Sequence, residues 1–203
     1  ALPICSPVGA EARVNSPSGS YYQSEPAIAH LGSDNFVVVW RSDGQDGSSS
    51  GVYAQRFSAA GVAVGPEVRV NTATAGEQSY PQVAGLSDGG YVITWQDPNG
   101  NDLSGWGVFA QRYDAAGSAF VVSTTTLGYQ LHSVVASHDQ GFVVAWTADT
   151  NVPGGNGYDI YLTRFDNAGN VLGTPEMRVS VNPGTTDAQS GYQYLPRIAA
   201  RAD

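Results

Sequence analysis

The chain has 203 residues, 41% of them hydrophobic, and a formal net charge of -9. It is long enough to bury a real core and too apolar to be a disordered chain. Its acidity excludes a nucleic-acid interface, which needs clustered cations.

With 25 glycines and 11 prolines, alongside abundant Ser, Thr, Asn and Asp, the composition suits short strands and tight turns rather than helices. No apolar run approaches the roughly 18–20 residues of a membrane span, so the chain reads as soluble, without direct membrane insertion. All nine basic residues are arginine, and an acidic, lysine-free surface attracts divalent cations. Cys5 is the one cysteine. No disulfide forms within the chain, which suits a cytosolic protein or a secreted bacterial one.

In chain order, Glu11-Ala12-Arg13-Val14-Asn15 comes first and matches two later stretches, Glu67-Val68-Arg69-Val70-Asn71 and Glu176-Met177-Arg178-Val179-Ser180. Residues 1–22 therefore read as the end of a preceding repeat. Residues 26–31 predict a short strand a, with proline tolerated at its start. Strand b is Phe36-Val37-Val38-Val39-Trp40, which returns as Tyr91-Val92-Ile93-Thr94-Trp95 and as Phe142-Val143-Val144-Ala145-Trp146. Its β-branched run suits a sheet covered on both faces. Strand c (52–57) returns at 108–113 and 160–165, and strand d at 67–71 and 176–180. In the second unit strand d is reduced to Phe120-Val121-Val122-Ser123.

Trp40, Trp95 and Trp146 recur at roughly fifty residues, as do Arg56, Arg112 and Arg164, and Gly61, Gly117 and Gly169. The units are 23–77, 78–129 and 130–193. Leu195-Pro196-Arg197-Ile198-Ala199 copies Tyr80-Pro81-Gln82-Val83-Ala84, so 194–203 begins a fourth. Four antiparallel strands at this period predict an all-β fold of β-propeller blades. The alternative is a linear array of β-sandwich repeats.

The pattern P-x-[VI]-A-x-L-x-D-G-G-[FY]-V-V-x-W, an Asp/Gly-rich loop, [VI]-Y-A-Q-R-[FY]-D-A-A-G and E-x-R-V-N resembles the tandem repeats of large secreted bacterial proteins. Such repeats accompany hemolysin-type calcium-binding or adhesin regions. The resemblance covers nearly the whole chain and rests on the three tryptophans, Gln55, Gln111 and the repeated arginines. It implies a propeller-like extracellular module and no particular activity. The third unit departs from it at Ser133 and Thr163.

Candidate sites lie around the b–c loops. Calcium takes six to eight oxygens from carboxylates, amides and carbonyls, which points to Asp43 and Asp46, to Asp97, Asn99 and Asp102, and to Asp149 and Asn151. The same residues suit plain turns, and no loop has the full D-x-[DN]-x-[DN]-G-x5-E pattern. The repeated tryptophans read as core. Trp106 and Tyr158 stand where the first unit has Ser50; a solvent-facing aromatic there suits a sugar ring or a protein partner. The repeated arginines are expected to pair with Asp88 or Asp139, and Gln55 and Gln111 with backbone. Of the histidines, His132 and His138 are near in sequence, a weak metal signal.

The expected function is a non-enzymatic extracellular binding or structural module whose ligand is a protein partner or a glycan. A calcium-assisted lectin is the first alternative and a propeller hydrolase the second. Calcium in the b–c loops predicts a melting temperature that rises in calcium over EDTA, with no rise in magnesium. Equal melting in all three leaves the loops as turns.

Overall fold

The computed structural model describes residues 11–16, 21–98, 105–114, 119–123, 129–149, 158–179 and 195–199. Among them the chain is all strand and turn. There is no helix, and so none long and apolar enough to cross a membrane.

Twelve strands make three four-stranded antiparallel sheets, each a simple up-and-down meander. The first holds β1 (Gln23–His30), β2 (Phe36–Asp43), β3 (Ser50–Phe57) and β4 (Ala63–Arg69). The second holds β5 (Ser79–Gly85), β6 (Tyr91–Asp97), β7 (Gly107–Tyr113) and β8 (Ala119–Ser123). The third holds β9 (Tyr129–His138), β10 (Gly141–Asp149), β11 (Tyr158–Asp166) and the short β12 (Met177–Arg178).

Register explains why the aromatic-valine stretches are the centre of each sheet. In the first, Phe36 lies opposite Phe57 and Trp40 opposite Tyr53. In the second, Tyr91 lies opposite Tyr113 and Trp95 opposite Phe109. In the third, Phe142 lies opposite Phe165 and Trp146 opposite Tyr161. Each pair stacks, with centroids from 4.8 to 6.5 Å apart. Directly opposed residues share a face of the sheet, so every sheet carries two aromatic stacks on one face and small β-branched residues on the other.

These unlike faces meet. Val37, Val39, Val52, Ala54 and Val70 of the first sheet form one core with Tyr91, Ile93, Trp95 and Tyr113 of the second. Val92, Val108 and Ala110 of the second form another with Phe142, Trp146 and Phe165 of the third. The three tryptophans are buried, as expected of core residues.

The first strands of the sheets also pack side by side, β1 on β5 and β5 on β9. The approach is closest where β1 and β5 end: a Cβ on Gly85 would lie 1.9 Å from the His30 carbonyl oxygen. Only a residue without a side chain fits there.

Two departures from the expected strand bounds bear on the site. β1 begins at Gln23 rather than Pro26, running through a register shift between Ser24 and Ala27. The bulge residue Glu25 has φ 55°, and its counterparts Tyr80, His132 and Leu195 have φ 53°, 54° and 54°. One left-handed residue therefore recurs at the same step of each repeat, a bulge that a proline-based reading takes for a strand boundary. β4 runs Ala63–Arg69 rather than 67–71. It joins β3 earlier, across a second register shift, and releases Asn71 from the ladder for side-chain bonding.

Gly85→Ala is expected to destabilise the fold by about 1–3 kcal/mol through overpacking, read as a lower urea midpoint. An unchanged midpoint would mean that β1 and β5 do not meet there.

Candidate functional site

The b–c loops leave β2, β6 and β10 at the end of the sheets where β1, β5 and β9 begin, because each meander brings those termini together. All the candidate residues within the described part lie at this end.

Three of the aspartates are held by protein donors. Asp43 accepts from Arg41 Nε at 2.9 Å. Asp46 accepts from the Ser48 N–H at 3.0 Å and from Asn71 Nδ2 at 3.4 Å. Asp97 accepts from Gln78 Nε2 at 3.2 Å. Among the described residues no group of three or more His, Cys, Asp or Glu is placed to hold a metal ion. Asn99, Asp102 and Asn151 lie outside the described residues.

Asn71 and Gln78 are buried and form the joint between the first and second sheets. Asn71 Oδ1 accepts from the Val52 N–H at 2.8 Å, while its Nδ2 donates to Ala73 O at 2.8 Å and Gln78 Oε1 at 3.0 Å. The Gln78 N–H donates to Ser50 O at 3.1 Å. The next joint repeats this: the Gln130 N–H donates to Trp106 O at 2.7 Å, and Gln130 Oε1 accepts from the Val108 N–H at 3.4 Å. Trp106 thus takes the place of Ser50 at a joint, and it is half-buried rather than fully solvent-facing.

The joint gives Trp106 its neighbours. Tyr129 precedes Gln130 and lays its ring on Gly105, where a Cβ would stand 2.6 Å from the ring. Asp149 lies opposite Tyr129 on one side and Tyr158 on the other. Trp106, Tyr129, Asp149 and Tyr158 therefore form one row across the edge of two sheets. Adjacent strands are about 4.8 Å apart, so the row spans roughly 15 Å.

A second group lies beside it. The bulge residues of successive sheets touch: the Tyr80 N–H donates to Glu25 Oε2 at 2.6 Å, and the Tyr80 and His132 rings meet edge-on at 5.4 Å. Arg41 reaches Glu77 at 2.8 Å, Asp43 at 2.9 Å and Glu25 at 3.7 Å. Burial works against its charge, yet the bond to Asp43 and the fields of Glu77, Asp43 and Glu25 hold the guanidinium above its ordinary value. Tyr21, Tyr22, Tyr80 and Tyr129 are exposed at this same end.

Tyr129, Tyr80 and Glu25 are functional candidates that motif reading missed, and it marked His132 only for its nearness to His138. Their signal is a change of side chain inside a repeated frame: Tyr22, Glu77 and Tyr129 before the glutamine, and Glu25, Tyr80 and His132 two residues after it.

Other expectations change. His132 and His138 stand near the two ends of β9 and do not meet. His138 instead shares a cavity of about 660 Å3 with His30, Asp139, Ser87 and Ile198, at the opposite end of the sheets. Arg112 pairs with Asp88, as expected. Arg164 is exposed and makes no ion pair among the described residues, nor does the half-buried Arg56. Gln55 Nε2 binds the carbonyls of Arg56 at 2.9 Å and Gly65 at 3.2 Å. Gln111 instead donates to the Tyr113 hydroxyl at 3.0 Å.

Burial holds the His132 imidazole below its ordinary value of 6.5. The unfolded chain therefore binds this proton first, and stability is lost as pH falls below about 6.5. His132→Gln is expected to flatten that fall in a urea titration at pH 7 and pH 5; an unaltered pH dependence would contradict it.

No protein-family model matches the chain, and no curated protein matches it either.

Proposed function

We propose that the chain is a non-enzymatic extracellular binding module that takes a glycan along the row Trp106, Tyr129, Asp149 and Tyr158. The observation that carries this reading is the row itself. Aromatic faces stack on the apolar faces of sugar rings, and a carboxylate among them accepts from ring hydroxyls. Two of the four residues are the aromatics that stand out of the repeat pattern, Asp149 is one of the b–c loop acids, and strand register brings Tyr129 beside them.

The left-handed bulges support the same end of the molecule. Four non-glycine residues at positive φ each cost on the order of 1–3 kcal/mol, and such strain gathers at functional sites. The position of the sheets supports a propeller: β1, β5 and β9 pack side by side, line one cavity together with Ile198 of the next repeat, and place their bulge residues in contact. We read the three sheets as consecutive blades with β1, β5 and β9 nearest the axis. A linear stack in an experimental structure of the repeat array would overturn the propeller and leave the row intact.

A protein partner at the same end is the second reading, favoured by the exposed Tyr21, Tyr22, Tyr80 and Tyr129, since tyrosine is enriched in protein interfaces. The motifs imply a place in a large secreted protein of repeats.

Screening against immobilised glycans tests the first reading. Binding is expected for the unmodified chain. Trp106→Ala and Tyr158→Ala are each expected to weaken it about tenfold or more while melting stays close to the parent's. Retention of full binding by both variants would sink the row as the site.

A further inference from the structure

The repeat supplies its own internal comparison at the other end of the sheets, where strands a and b turn and strand c ends. In the second unit Arg112 is buried and paired with Asp88 of the a–b turn. Arg56 holds the same position in the first unit, opposite Val37 as Arg112 is opposite Val92. Yet Ser33 stands where the second unit has Asp88, and the acid comes one residue later, at Asp34.

The turn cannot return that acid to the arginine. Gly32, Ser33 and Asp34 have φ 56°, 50° and 58°, whereas in the second turn only Gly89 is left-handed. Asp34 faces His30 Nε2 at 3.7 Å, both side chains largely in water. Arg56 is left half-buried, without an ion pair among the described residues.

Arg56 also lines a cavity. An open pocket of about 280 Å3 is lined by Ser33, Asn35, Phe57, Val64 and Arg56 of the first sheet with Gly89 of the second. Behind the arginine a smaller space of about 100 Å3 is walled by Tyr91 and Tyr113. Burial raises the Tyr91 hydroxyl above its ordinary value and the Arg56 charge draws it back, so guanidinium and phenol lie close enough to interact.

We propose that the Arg56 cavity binds a small, hydroxyl-bearing carboxylate of the uronic-acid kind. The guanidinium fork would take the carboxylate through two parallel N–H bonds. Ser33 and Asn35 offer donors and acceptors for hydroxyls, and Phe57 and Val64 give the ring an apolar wall. The volume is close to the lower limit of small-molecule sites, about 300 Å3, and suits one sugar-sized unit. The overall charge of -9 opposes an anion at long range, but beyond roughly 8 Å that repulsion is screened at physiological salt. This site does not rest on the aromatic row, which lies at the opposite end of the strands.

Calorimetric titration with glucuronate tests it, with glucose as the uncharged probe of the same size. Saturable glucuronate binding is expected, with glucose at least about tenfold weaker. Arg56→Gln is expected to weaken glucuronate about tenfold or more, the scale of a lost charge-assisted bond. Ser33→Asp would add a carboxylate to the wall of the same pocket; it is expected to abolish binding. No glucuronate binding by the unmodified chain, equal binding of glucose, or full binding by a folded Arg56→Gln or Ser33→Asp would overturn the proposal.

Discussion

The structure depends on unlike faces of neighbouring sheets meeting. Each sheet carries stacked cross-strand aromatics on one side and valine, isoleucine or alanine on the other, and the aromatic side of one packs on the small side of the sheet before it. A sheet with apolar residues on its faces must bury them against another element. Because each face finds its complement in the next copy, cohesion grows with every repeat, and the period of the sequence becomes the period of the packing.

Hydrogen bonding at the joints sets how one sheet sits on the next. Asn71 and Gln78 are buried amides that satisfy both backbone and one another. A buried amide without partners would be costly, so the relative position of the sheets is tightly specified. Asp46 and Asp97, two of the candidate b–c loop acids, are drawn into this joint as acceptors for amides. The next joint, between the second and third sheets, presents Trp106 beside Tyr129, so the candidate glycan row is a by-product of how two repeats are fastened together.

Divergence between copies is what gives the two ends of the molecule their chemistry. Arg112 has its acid and Arg56 does not, because one aspartate has moved by a residue within its turn. Tyr80, His132 and Glu25 occupy one strained position with three different side chains. The repeated residues hold the sheets together, and departures from the repeat beside them create the candidates for binding.

How much of this was legible in the chain follows from the range of each interaction. The repeated Phe/Tyr-Val-Val-x-Trp runs, the arginine strands and the glycine turns are local and periodic, and from them alone the all-β class, the four strands of each unit and the burial of the tryptophans can be read. Trp106 and Tyr158 were legible because they break the period. The left-handed bulge was not, since Glu25, Tyr80 and His132 have no side chain in common and none is glycine. Only the tertiary structure decided that Tyr129 and Asp149 join that row, that His138 lies with His30 and away from His132, and that Arg56 is without the acid its counterpart has. Those outcomes depend on register across strands and on contacts between sheets. Both are set by packing over distances that no local pattern in the chain encodes.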